Sequence, residues 1–282
     1  MNLTNPETIK KIMDGLGRGF NKALGQNFLV DQSVLDAAVN AAGIDESYGV
    51  IEVGPGIGTL TVELSKHAGK VVAIELDRGI ADYLQKAFVA YDNVEIIQGD
   101  ALKIDLKKVI DEHMKGMPVV VIANLPYYIT TPLIMKFLEE DLPLESITVM
   151  IQKEVADRIV ADAGTKEYGA ISVAVQYYST PEIIRTVPPE SFMPPPKVTS
   201  AVIKMDVKNH QKPEVADEKK FFRTVKAAFG QRRKTLVNAL SSGFSLPKDE
   251  ITKVVTDVTG SEKIRGEQLT LGQFIQISEK LK

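Results

Sequence analysis

The chain has 282 residues, of which 44% are hydrophobic and 25% charged, and a formal net charge of −3. That is enough to bury one full core and supply a second, smaller domain. The absence of cysteine excludes disulfides, thiolate zinc sites and cysteine nucleophiles, and no apolar run is long enough to span a bilayer. Without a basic-then-apolar leader after Met1, the expectation is a cytoplasmic protein with no membrane partner.

A polar lead with Gly15, Gly17 and Gly19 comes first, and then short β-branched runs alternate with amphipathic stretches. This is the pattern of a parallel sheet covered by helices. Strands are predicted at Val50 to Val53, Val71 to Leu76, Val94 to Gln98, Val119 to Ala123 and Ile147 to Ile151. Between them, Leu60 to His67, Ile80 to Val89 and Leu133 to Leu138 have helical periodicity. Glu182 to Val187 and Val198 to Met205 read as two further strands. The Pro-rich link between them, Pro188 to Pro196, is too short for a crossover helix, so an antiparallel edge pair is expected. After a polar linker from Asn209 to Asp217, helices are predicted at Phe221 to Phe229, Thr235 to Leu240, Lys248 to Val258 and Leu271 to Leu281. The division expected is an α/β domain over residues 1–207, with its lead at 1–22, and a small all-helical domain over 218–282.

Charge is not spread evenly. Residues 206–282 carry a net +5 against −8 for the rest, and Lys219 to Lys248 holds eight basic residues and no acidic one. Such a stretch is either a footprint for a phosphate backbone or a solvated helical face. Its candidate RNA contacts are Lys219, Lys220, Arg223, Lys226, Arg232, Arg233 and Lys234. The histidines His67, His113 and His210 lie far apart in polar surroundings and read as surface residues.

The run Glu52-Val53-Gly54-Pro55-Gly56-Ile57-Gly58-Thr59 follows the first predicted strand and opens a helix, placing three glycines where backbone approaches a bound cofactor. A dehydrogenase or an ordinary tight turn produces the same run. The polar residues beyond it add weight: Glu75, Asp100 and Asn124 end successive strands at intervals of 21, 25 and 24 residues from Gly54. In an open α/β sheet ligands bind outside the carboxyl ends of the strands, so these positions face one crevice. Glu75 can accept hydrogen bonds from ribose hydroxyls and Asp100 one from an adenine amino group, though each also reads alone as a cap or loop acid.

Asn124-Leu125-Pro126-Tyr127 points to chemistry on an amino group. The lone pair of an adenine amino group is delocalised into the ring, so a site that methylates it needs acceptors for its N–H bonds. The Asn124 side-chain oxygen and a backbone carbonyl of the Leu125-Pro126 turn can supply two, and Tyr127 offers a face for an extruded base. Phe192 either stacks on the other face of that base or plugs the Pro-rich link. A nicotinamide dehydrogenase shares the Gly loop but does not need Asn124 to Tyr127. A non-catalytic assembly factor and a DNA adenine methyltransferase are the other rival readings.

Together these segments resemble the motifs of the ribosomal small-subunit rRNA adenine N6,N6-dimethyltransferases. The resemblance begins at Ala23-Leu24-Gly25-Gln26-Asn27-Phe28-Leu29 and runs through the Gly loop, Glu75, Gly99-Asp100-Ala101, Asn124 to Tyr127 and Phe192 to Ser200. It continues through Ala228 to Leu236 and Arg265-Gly266-Glu267-Gln268-Leu269, so it spans nearly the whole chain. The tail is more similar to the ribosome-maturation branch than to the macrolide-resistance branch that acts on the large subunit. The resemblance implies a Rossmann-like class I S-adenosylmethionine methyltransferase domain with a helical C-terminal domain. It also implies that Asn27 and Leu29 flank the methionine part of the cofactor and Gly54 lines it. Glu75 and Asp100 then bind ribose and adenine, and Asn124 serves both cofactor and base. The implied substrate is a pair of adjacent adenosines in the 3′-terminal hairpin loop of the small-subunit rRNA, in an immature 30S particle, with the enzyme acting as a monomer.

Overall fold

The computed structural model describes residues 3–17 and 27–281. Ala23 to Gln26, where the resemblance begins, lie outside the described residues, as does Gly19. The expected polar lead contains a helix, α1 (Pro6–Gly15), started by Asn5, whose side chain accepts the Glu7 N–H at 2.8 Å, with proline in the first turn. Ile9 and Met13, one turn apart, bury its narrow apolar edge with Leu3 against Phe28 and Ile57.

The sheet-forming part then runs β1 (Phe28–Leu29), α2 (Gln32–Ala42), β2 (Gly49–Val53), α3 (Thr59–Ser65), β3 (Lys70–Glu75), α4 (Arg78–Ala87), β4 (Val94–Gln98), α5 (Leu106–His113), β5 (Val119–Asn124), α6 (Thr130–Glu139) and β6 (Leu144–Gln152). Helices α7 (Lys153–Val160) and α8 (Ala170–Tyr178) precede β7 (Thr180–Val187), β8 (Phe192–Met193) and β9 (Ser200–Asp206). Seven strands form one sheet in the order β4-β3-β2-β5-β6-β9-β7. Strands β2 to β6 pair in parallel and β9 runs antiparallel to β6. The chain leaves β2 towards β3 on one side and returns to β5 on the other, so the order reverses at β2 and opens a crevice there. The two late strands are neighbours as expected, with β7 at the edge and β9 between it and β6. Their Pro-rich link is not featureless: β8 pairs antiparallel with β1, Leu29 opposite Phe192.

Side chains of α2, α3, β2 and β5 share one buried cluster that includes Leu29, Val34, Leu35, Val50, Leu60 and Val120. β2 is buried along its whole length, as a central parallel strand covered on both faces must be.

The chain divides into two compact units, and the division differs from the expected one. One unit takes residues 1–156 and 181–209, the other residues 157–180 and 210–282. The helical unit thus gains a segment ahead of β7 besides α9 (Glu218–Gly230), α10 (Leu236–Phe244), α11 (Lys248–Thr259) and α12 (Leu271–Lys280). The reason is aromatic packing. Tyr177 and Tyr178 of α8 stack with Phe221 and Phe222 of α9, and Tyr168 meets Phe229, which meets Phe274 of α12. Both α8 hydroxyls donate to Glu218 at the start of α9. Gly243 lets α10 approach α9 closely, since a Cβ there would lie 2.5 Å from the Ala227 methyl.

Candidate active site

A cleft of about 200 Å³ opens at the carboxyl ends of the parallel strands. Its lining brings together Asn27, Leu29, Gly54, Glu75, Asp100 and Asn124 with Leu125, Pro126 and Tyr127. All of these come from the sheet-forming unit. The order of the strands sets the order of the groups: Asp100 follows β4, Glu75 ends β3, Gly54 follows β2 and Asn124 ends β5. With neighbouring strands about 4.8 Å apart, the four positions span roughly 15 Å.

The glycines divide their work. Gly54 and Gly56 line the cleft in left-handed conformations, φ 70° and 58°. Gly58 is not part of the lining; a Cβ there would lie 2.6 Å from the Phe88 ring, so its smallness serves the packing of α3 against α4. Of the three glycines expected beside a cofactor, two thus line the cleft.

Glu75 is 7% exposed. Burial raises its pKa, opposed by the backbone N–H groups of Asp77 and Gly56 that point at its carboxylate. The Asp77 N–H donates to Oε1 at 2.8 Å. Asp100 has the contacts of a loop acid: Oδ1 accepts the Leu102 N–H at 3.0 Å and stiffens the turn, while Oδ2 lies 3.3 Å from the exposed Lys103 ammonium.

At the other end of the cleft, the Asn124 side-chain amide donates to the Asn27 carbonyl at 3.4 Å. No described residue donates to its Oδ1. The carbonyl of Pro126 already accepts the Ile129 N–H at 3.1 Å and the Thr130 hydroxyl at 3.2 Å. The turn's remaining acceptor is the Leu125 carbonyl, just past the strand's last paired position at Asn124. Tyr127 is half-buried and its hydroxyl bonds to that of Ser200 at 2.6 Å, which fixes the ring. Phe192 is 3% exposed and packs in the cluster with Leu29, Val34 and Leu35. It is not among the residues that line the cleft.

Among the cleft residues given no role from the sequence, two are polar and notable. Tyr128 is 51% exposed at the mouth, within electrostatic reach of Glu75 and Asp100. Glu52 is 1% exposed and its Oε2 has no hydrogen-bond partner among the described residues. Its signal was legible: a carboxylate between Ile51 and Val53 in an otherwise apolar strand, on the same face as buried Val50.

The basic stretch of the helical unit is less free than its charge count suggests. Arg232 donates to the backbone carbonyls of Lys166 and Tyr168 at 3.0 and 2.9 Å and lies 3.6 Å from the Glu267 carboxylate. Arg223 donates to the Gly243 carbonyl at 3.0 Å and covers the Phe244 ring, and Lys220 donates to the Leu281 carbonyl. Lys219, Lys226, Arg233 and Lys234 are exposed, with no ion pair among the described residues. No helix among the described residues is long and apolar enough to cross a membrane.

Comparison with known proteins gives this geometry a family. The family model for ribosomal RNA adenine dimethylase matches residues 17–282. The ribosomal RNA small subunit methyltransferase A of Alkaliphilus oremlandii is 49% identical over 280 residues, covering 99% of this chain and 98% of that protein. The Clostridioides difficile protein of the same name is 48% identical, covering 98% and 96%. Among solved structures, a dimethyladenosine transferase from Plasmodium falciparum superposes with a TM-score of 0.72 at 26% identity, covering 88% of this chain and 95% of that one. The 23S rRNA methyltransferase ErmE shares the fold, with a TM-score of 0.70 at 23% identity over 90% of this chain and 99% of that one. With a match over nearly its full length, and with the strand-end cleft such a fold uses, the chain belongs to the S-adenosylmethionine-dependent ribosomal RNA adenine dimethylase family.

Proposed function

We propose that the chain methylates N6 of two adjacent adenosines in the 3′-terminal hairpin loop of small-subunit rRNA, two methyl groups on each, within an immature 30S particle. The observation that supports this best is the pair of acceptors at the end of β5. Asn124 and Leu125 both line the cleft, and neither Asn124 Oδ1 nor the Leu125 carbonyl accepts a hydrogen bond from a described residue, as an amino group with two N–H bonds requires. By accepting both, they turn the nitrogen lone pair out of conjugation, and the fixed ring of Tyr127 holds the extruded base.

The residues present fit S-adenosylmethionine. The left-handed Gly54 and Gly56 add no side chain of their own to the cleft, the acids run along the nucleoside end, and the Glu52 oxygen without a partner among the described residues suits a cation. When bound, the cofactor supplies a methyl group made electrophilic by its sulfonium. In this reading Asp100 accepts from the adenine amino group, Glu75 orients the ribose hydroxyls, and Asn27 and Leu29 flank the methionine part. Asn124 then joins cofactor and base. The exposed cations Lys219, Lys226, Arg233 and Lys234 contact phosphates, and the protein acts as a monomer.

The test is mass mapping of methylated nucleotides after incubation with immature small subunits and S-adenosylmethionine. Two adjacent dimethyladenosines near the 3′ end are expected. Methylation confined to large-subunit RNA, or none, overturns the reading.

A further inference from the structure

Glu52 has so far been noted only as an oxygen that suits a cation, yet it is the most unusual group in the cleft. It is 1% exposed, it lines the cleft, and Oε2 has no partner among the described residues. A carboxylate left so would cost several kcal/mol if ionised, so a group in this position stays protonated or meets a cation. Its position along the cleft says which cation. The groups that meet the nucleoside end lie at β4 and β3, and Glu52 belongs to β2, one strand further towards Asn124 on β5. Its side chain shares the face of Val50, whose cluster holds Leu29, Val34 and Leu35. That is the stretch of the cleft where the cofactor's ammonium and sulfonium lie, in the reading of the site proposed above, on which this inference rests.

We propose that Glu52 reads the positive charge of the cofactor's methionine end, being protonated in the empty cleft and ionised when S-adenosylmethionine is bound. The balance is simple. The O–H bond of the Glu52 carboxyl breaks, its proton leaves to solvent, and the carboxylate oxygen accepts a hydrogen bond from the cofactor's ammonium. Nothing is oxidised or reduced. The charged group that acts on Glu52 from the neighbouring strand is Glu75 of β3, and the polar one is Thr61 of α3. Burial, then Glu75, push the Glu52 carboxyl up to about 8, and only Thr61 pulls the other way. Below that pH a proton competes with the cofactor, so affinity rises with pH up to about 8 and then levels off.

The test is calorimetric titration of the full chain at pH 7 in phosphate and in Tris, whose ionisation enthalpies differ, so that the heats count protons. Wild type is expected to release ~1 proton more than Glu52→Gln on binding S-adenosylmethionine. Between pH 6 and pH 8 its affinity should gain ~10-fold or more over that of the variant. Ionisations of the cofactor itself occur with both proteins and cancel in the difference. Proton counts that are equal in the two proteins overturn the proposal, because any release then belongs to Glu75 or to the cofactor.

A second arm needs no variant. 5′-Methylthioadenosine, which keeps the nucleoside but carries neither ammonium nor sulfonium, should bind wild type without this release; a release as large as that with S-adenosylmethionine overturns the proposal. The site reading fails separately: if Glu75→Ala binds the cofactor as tightly as wild type, the cleft assignment is wrong. If Glu75→Ala binds weakly while the proton counts are equal, only the role of Glu52 is.

Discussion

The cleft and the basic stretch are both rows of polar side chains, but they are built in opposite ways. In the cleft, Glu75, Asp100 and Asn124 stand at strand ends, each is hydrogen-bonded to a backbone group, and all three line the open space. In the basic stretch, Arg232, Arg223 and Lys220 spend their donors on carbonyls of their own unit. Position along a sheet therefore tells where a side chain works, whereas a count of charges does not tell whether they are available. A buried group held by one or two hydrogen bonds is pre-organised and costly to replace. An exposed lysine is neither, and its contribution is a share of a summed field.

If that contrast is right, the largest effect of any single change comes from the end of β5. Asn124→Ala should lower methyl transfer by ~100-fold or more, the usual cost of removing one oriented group that acts at the reacting atoms. RNA binding should persist, because the acceptor acts on the extruded base and not on phosphates. Single-turnover transfer at saturating cofactor, read beside filter binding of RNA, checks both. Turnover restored by saturating cofactor would make Asn124 a cofactor-binding residue only.

Glu75 comes next. Glu75→Ala removes a charge-assisted acceptor from the cofactor and leaves the Asp77 N–H without its partner, so affinity should fall by ~10-fold or more, about 1.5 to 3 kcal/mol. Glu75→Gln keeps an oxygen for Asp77 and should lose less. Calorimetry with S-adenosylmethionine distinguishes the two, and equal losses would show that the charge is irrelevant.

These strand-end residues were legible because a parallel sheet imposes a repeat. β-branched runs recur at the length of one strand and one helix, and the residue after each run must face the crevice. Glu52 was legible by the same alternation, being a charge on the face of Val50. The boundary of the helical unit was not. Nothing local in residues 157–180 says that Tyr168 and Tyr177 pack with Phe229 and Phe221, since these partners lie more than a helix away in the chain. Helix α1 was missed because Ile9 and Met13 give too narrow a stripe to stand out from polar neighbours. The packing of Phe192 beside Leu29 had no local signal either, as it follows from the β1–β8 pairing.

The smallest expected effects separate the two kinds of arginine at the centre of the basic stretch. Arg232 and Arg233 are adjacent and equal in charge, but only Arg232 is tied down, by two carbonyls and by Glu267. Arg232→Ala should therefore act on stability, destabilising the helical unit by about 1 kcal/mol for the lost hydrogen bonds, with a lowered melting temperature. The Glu267 pair adds little, since both side chains are partly solvated and salt screens them. Replacing Arg233 and Lys234 together with alanine should leave melting unchanged. Their charges act on phosphates, so the slope of log affinity against log salt for purified small subunits should fall by ~1 unit for each phosphate deprived of its cation. Cofactor affinity should not move in either variant. A salt series on both variants decides between the two behaviours. Superimposable binding curves for wild type and Arg233→Ala/Lys234→Ala would make the stretch an ordinary solvated face. An unchanged melting temperature for Arg232→Ala would return that arginine to the pool of free cations.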